Sequence, residues 1–142
     1  MANLIPAIDV TTSALSSERT RMEVVAANLA NANTTRDING LPYRRKEVVF
    51  QTVIDKNLSA EGIQAGGVKV SQIAEDPSPF KKVFNPGHPH ADAQGWVTMP
   101  NVDPINEMVD LMTASRSYEA NLQVMRVARD MTSRSIAIAE AR

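Results

Sequence analysis

Apolar residues recur at intervals of seven near each end of the chain. Near the N-terminus Ile8, Leu15, Met22 and Leu29 form one line. Ile5, Thr12 and Ala26 fall between them, Arg19 is a polar exception and Val25 lies beside the stripe. A repeat of seven is the narrow seam of a coiled coil rather than the broad apolar face of a globular helix. This run predicts a helix over residues 4–30, ~40 Å long at ~1.5 Å per residue. Near the C-terminus Met108, Ser115, Leu122, Arg129 and Ile136 repeat in the same way, and Leu111, Tyr118, Met125, Thr132 and Ala139 form a second line. Asp103 can cap the first amides, Pro104 fits the first helical position, and Glu107 suits the positive end of the dipole. The predicted helix covers residues 104–140, ~55 Å long.

Ser, Thr and Arg interrupt both stripes. A two-helix hairpin this thin buries little surface. The pattern therefore favours helices completed by neighbouring copies over a self-contained bundle. Between the helices the pattern changes. All six Gly fall between Gly40 and Gly95, and residues 7–39 and 105–142 hold neither Gly nor Pro. These are the strongest helix breakers. Glu47–Ile54, Val68–Ile73 and Trp96–Met99 read as strands, while Pro77, Pro79, Pro86 and Pro89 make the stretch between the last two loop-like. Five of the six aromatics lie in this middle region, which predicts an insert packed on few aromatics. The expected fold is mainly α with a small β insert. Residues 1–33 and 104–142 pair as an elongated coiled-coil hairpin, and residues 34–103 form an extended loop and a β-rich insert.

Charge narrows the partners. The chain of 142 residues has 15 basic and 16 acidic side chains, and no segment has the basic excess of a phosphate-binding surface. Nucleic acid and anionic membrane are therefore unexpected partners. There is no cysteine, so disulfides, thiolate metal sites and cysteine nucleophiles are excluded. The N-terminus lacks the basic and apolar regions of a secretory signal peptide, and no stretch reads as a membrane span.

Chemistry is sparse. His88, His90 and Asp92 could make a metal triad, but Pro89 forces a loop and the chain has no further His. A turn leading into the Trp96 strand is preferred to an enzyme built on these residues. No Ser sits in a nucleophile elbow, and Gly66-Gly67 is not a phosphate loop. Arg44-Arg45-Lys46 reads as a solvated strand edge, the alternative being contact with an acidic patch on a neighbour. No catalytic residue, cofactor or metal is expected.

Two separated strings carry a resemblance. Asn28-Leu29-Ala30-Asn31-Ala32-Asn33-Thr34-Thr35, followed by Gly40-Leu41-Pro42-Tyr43-Arg44-Arg45-Lys46, resembles the N-terminal signature of the bacterial flagellar axial proteins, the rod and hook subunits. The stretch from Asn101 to Val109, with Ala114–Asn121, resembles their C-terminal signature, and GHPHADAQGWVTMPNVD is similar to that of a proximal rod subunit. The resemblance spans nearly the whole chain. It implies a structural subunit that self-assembles through its terminal helices into a tube, transmits torque and encloses the export channel. It places the subunit in the basal-body rod in the periplasm, exported without a cleaved signal peptide. Implied partners are other copies, other rod subunits (proximal rod protein B, rod protein F, distal rod protein G), the hook-basal body adaptor protein FliE and the flagellar type III export apparatus. It implies no direct membrane insertion. The alternative is another coiled-coil component of a type III-like secretion assembly. The aromatic, Pro-rich insert argues against a bare needle hairpin. Asn28, Asn31, Asn33 and Thr34 are then read as the handover from helix to insert, where short polar side chains satisfy backbone groups.

Overall fold

Two long helices bracket four strands in the computed structural model, which describes residues 4–37, 40–54 and 66–140. The order is α1 (Leu4–Ala30), β1 (Lys46–Ile54), β2 (Gly66–Glu75), β3 (Lys81–Phe84), β4 (Trp96–Met99) and α2 (Pro104–Glu140). The helices start and end where the pattern puts them. The amide of Ile105 donates to Asp103 Oδ1 at 3.1 Å, opening α2 at Pro104. The last turn of α1 meets the first turn of α2 through Asn28 and Glu107, so the helices run antiparallel.

Burial along the helices shows a consistent offset from the predicted stripes. On α1 the line Ile8, Leu15, Met22, Leu29 is half-buried or buried, but its companion line is Thr11, Glu18, Val25 and Ala32, one residue before the expected one. On α2 Leu111, Tyr118, Met125 and Thr132 are half-buried, and the companion line is Glu107, Ala114, Asn121 and Ala128. Met108 and Ile136 are exposed, and Leu122 is half-buried at the margin. The cause is closeness of approach. Ala114 is fully buried, and a small residue there lets the backbones come together, turning the larger Met108 outward. From Ser133 to Ile138 every side chain of α2 is exposed.

The strands form two separate antiparallel pairs, β1–β2 and β3–β4. In the first, Val49 faces Gln72 and Phe50 faces Val70, which leaves Ser71 as a bulge. The outer edge of β2 lies on α1. Ser13 Oγ accepts the Val68 amide at 3.1 Å, and Ser17 Oγ donates to the Val68 carbonyl at 3.1 Å. A Cβ on Gly67 would stand 2.9 Å from Ser13 Oγ, so glycine permits this contact. Strand β3 falls in the stretch expected to be loop. Its four residues pair Lys81–Phe84 with Met99–Trp96, too short a run between prolines to show a period. The Phe84 and Trp96 rings meet edge-to-face at 5.4 Å.

The insert is not packed on its aromatics. Phe50, Phe84 and Trp96 are all exposed, and Phe80 lies under Arg44, whose guanidinium sits 4.4 Å from the ring centroid. Among the described residues the buried apolar set is small: Leu15, Val25, Ala32, Val97, Val102 and Ala114. The largest fully buried side chains include a glutamate and an asparagine, Glu107 and Asn28.

Candidate functional site

Asn28 lies in the last turn of α1 with no exposed surface. Its amide nitrogen donates to the Lys46 carbonyl at 2.8 Å and to Glu107 Oε2 at 3.0 Å. Its Oδ1 accepts the Lys46 amide and the Tyr43 hydroxyl, both at 3.0 Å. An asparagine has two N–H donors and two lone pairs on its oxygen, and all are used. The amide orientation is forced, because Lys46 N–H can only donate and a carboxylate can only accept.

Glu107 is the counterpart on α2. It too has no exposed surface. Asn28 holds one of its oxygens, and Arg45 Nε donates to the other at 2.6 Å. An isolated buried carboxylate would be costly; this one is paired and hydrogen-bonded at both oxygens. Arg45 also reaches Glu47, Asp76 Oδ2 at 3.5 Å and Asp110 Oδ2 at 3.9 Å. Burial alone would lower the arginine's pKa, but the hydrogen bonds and charges of Glu107 and Glu47 outweigh it and raise it above the usual value. The Arg45 backbone is bound as well, its amide to Asn101 Oδ1 at 2.8 Å and its carbonyl by the Asp76 amide at 2.9 Å.

The network extends to the exits of the insert. Asn101 Nδ2 donates to the carbonyls of Asp76 and Ser78 at 3.2 and 3.3 Å, and Arg44 Nη1 donates to the same two at 2.8 and 3.2 Å. Ser78 binds the Asp76 carboxylate through its hydroxyl and amide; these bonds, more than the nearby Arg45, hold the Asp76 pKa below its ordinary value. Burial, then the charges of Glu107 and Glu75, push the Tyr43 phenol up. Arg21 joins α1 to Asp110 at 3.5 Å. One polar lock therefore fastens both helices, the entry to β1 and the exits of β2 and β4. Its central carboxylate is fully buried, with both oxygens hydrogen-bonded.

The remaining motif residues build the turn leading into the lock. Asn31 Nδ2 donates to the Ala27 carbonyl at 2.9 Å and Asn31 Oδ1 accepts Thr34 Oγ1 at 3.1 Å. The Tyr43 amide returns to the Thr34 carbonyl at 3.1 Å. Gly40 has φ +75°, a conformation open to glycine, and Pro42 is half-buried beside Tyr43 while Asn33 is exposed. The stretch from Thr35 to Gly40 includes residues 38 and 39, which lie outside the described residues. His88, His90 and Asp92 do not converge. Thr35 Oγ1 meets His90 Nδ1 at 2.7 Å, His88 Nδ1 accepts the His90 amide, and Asp92 Oδ1 takes the amides of Gln94 and Trp96. No group of three potential metal ligands occurs among the described residues.

The sequence marks Asn28, Tyr43 and Glu107 but not the network that joins them. Arg45 is not a solvated edge charge; it turns inward to Glu107. Glu107 does more than complement a dipole, and Asn101 and Asp76 carried no separate signal. A fully spaced polar network has no linear pattern, since the pair Asn28–Glu107 lies 79 residues apart.

Residues 8–36 match the family described as flagella basal body rod protein, and residues 93–138 match the flagellar basal body rod FlgEFG protein C-terminal family. A flagellar basal-body rod protein FlgC of Bacillus subtilis (strain 168) is 44% identical over 92% of this chain and 95% of its own length. The FlgC of Salmonella typhimurium is 44% identical over 96% and 98%, and that of Yersinia enterocolitica 42% over 97% and 99%. This chain belongs to the FlgC family of flagellar basal-body rod proteins. It is a structural subunit of the bacterial flagellar rod. The two segments that match the rod families bracket the lock: the first contains Asn28, the second Asn101, Glu107 and Asp110. Among the described residues no helix is long and apolar enough to cross a membrane.

Proposed function

We propose that this subunit forms part of the proximal rod, with its terminal helices paired as a coiled coil lining the tube and the insert of residues 34–103 on the outside. The terminal core of residues 1–33 and 104–142 packs against other copies. Its other neighbours are the rod subunits B, F and G, the adaptor FliE and the type III export apparatus, within the periplasmic span and after export without cleavage. It has no catalytic role. The polar lock carries this reading. A rod that transmits torque must not let the outer insert swivel on the helices. Asn28, Arg45 and Glu107 join insert and both helices through short bonds shielded from water, where they are stronger than at a wet surface.

The test is complementation of a bacterium lacking its own proximal rod subunit. The chain restores swimming and appears in purified basal bodies. Glu107→Ala is still secreted but is missing from them. Normal incorporation of Glu107→Ala into motile cells would remove the lock from the account of assembly.

A further inference from the structure

The free end of α2 and a groove on α1 fit each other. Asn28 and Glu107 are level. From there α1 runs 24 residues back to Leu4 and α2 runs 33 residues on to Glu140, so among the described residues α2 extends about nine residues, ~14 Å, further than α1. The projecting part is exposed on all sides from Ser133 to Ile138. Met131, Arg134 and Ile138 stand at i, i+3 and i+7 and share a face; Met131 and Ile138 expose 56% and 70% of their surface.

The groove lies between α1 and the β1–β2 hairpin, a trough of about 580 Å³. Its α1 wall is Thr20, Glu23, Val24, Ala27 and Asn31, a stripe ~16 Å long that matches the projecting length. Val24, Ala27 and Ile73 give an apolar floor, and Ala27 is small and exposed, so a helix can approach closely. Glu23, Glu75 and Lys46 stand around it, and Glu23 is paired with Arg19 at 3.0 Å. Residues 132–138 of the projecting end carry one charge, Arg134.

We infer that the projecting end of α2 from a second copy of this chain docks in this groove, with Met131 and Ile138 on the floor and Arg134 toward Glu75. This rests on the reading of the chain as a subunit of a helical assembly and names one of its contacts. Groove and projecting end are different surfaces, so the contact is head-to-tail. Such contacts generate open helical arrays when the rotation does not close.

The test uses the absence of cysteine from the native chain. Within one molecule Ala27 and Ile138 stand at opposite ends of the helix pair, ~45 Å apart, far beyond the ~7 Å between Cα atoms that a disulfide tolerates. Ala27→Cys combined with Ile138→Cys, expressed in complemented cells and oxidised, is expected to give a ladder extending past dimers. Each single variant gives dimers at most. Motile cells without a ladder overturn the groove contact and leave the rod reading intact, whereas failure of the wild-type chain to enter rods overturns the rod reading. A cross-link to a different rod subunit instead of a second copy also overturns the proposal. In the paired background, Glu75→Arg or Arg134→Glu lowers ladder yield about fivefold, and combining the two restores it. If the paired cysteines block rod entry, the same charge reversals in the cysteine-free chain are read as rods per cell. Failure of the combination to rescue either single reversal overturns the contact.

Discussion

Replacing Asn28 with Asp keeps the shape and changes two things. The donors to the Lys46 carbonyl and Glu107 Oε2 disappear, and a second carboxylate arrives 3.0 Å from Glu107. At an effective dielectric of ~20, two unit charges that close repel by ~5.5 kcal/mol. Taking up a proton costs less. For a group with an unfolded pKa of ~3.9, it amounts to ~4 kcal/mol at pH 7 and ~1 kcal/mol at pH 4.5. The folded site therefore protonates, and its pKa is raised above the unfolded value. The sign follows: this contribution is fully present below the unfolded pKa and is lost as pH rises through the folded pKa. Asn28→Ala is the control. It removes the same hydrogen bonds, at ~2–4 kcal/mol, but introduces nothing that titrates. Urea unfolding followed by far-ultraviolet circular dichroism at pH 7 and pH 4.5, each variant measured against wild type at the same pH, reads the difference. Asn28→Asp is expected to recover ~3 kcal/mol on acidification while Asn28→Ala stays level. If the two variants move in parallel, the carboxylate of Glu107 does not face Asn28 in a dry site and the account of the lock fails.

Other perturbations probe separate parts of the molecule. Ala114→Leu overfills the closest approach of α2 to α1 and should cost ~1–3 kcal/mol of helix stability, read as a lower urea midpoint in the helical signal; an unchanged midpoint would mean the helices are not in contact there. Gly95 has φ +84°, and a Cβ there would meet the Phe84 ring at 2.9 Å. Gly95→Ala should shift the fluorescence of Trp96, the single tryptophan, while leaving the helical signal intact, and loss of both would show that the β3–β4 pair is not a local unit. His90 is held below the ordinary histidine pKa by burial, then by Arg36 and His88. Its contribution is thus present above the unfolded value of ~6.5 and is lost as pH falls through the lower folded value. The nuclear magnetic resonance titration of its ring should have a midpoint below ~6.5, and a midpoint at or above that refutes the packing of His90 on Thr35.

The helices were legible because helix formation is local: breakers are absent from two long runs, and Asp103-Pro104 marks a start. Strands β1, β2 and β4 showed through alternation and β-branched residues. Strand β3 did not, because four residues between prolines carry no period. Choosing the helix face by the largest apolar residues led to Met108 and Leu122, whereas packing selected Ala114, Ala128 and Glu107. Side-chain size sets which positions can approach closely, and that depends on the partner helix as much as on the chain itself. The motif contains Asn28, Tyr43 and Arg45, but nothing in it marks Arg45 as the inward charge of the triplet, whose other members Arg44 and Lys46 are both turned to other tasks. An inward charge in a basic triplet is decided by where a carboxylate arrives from far along the chain.

That separation also bears on the order of events in folding. Closing a loop of 79 residues costs ~4 kcal/mol of chain entropy before any contact rewards it, and topologies dominated by distant contacts form slowly. Each helix can form within microseconds, and the β1–β2 pair needs only its own hairpin. The fastening between them must wait until Glu107 is available, with three quarters of the chain already made. Until then the pieces remain separately unfoldable, and a chain in that condition can still be drawn out as a single thread.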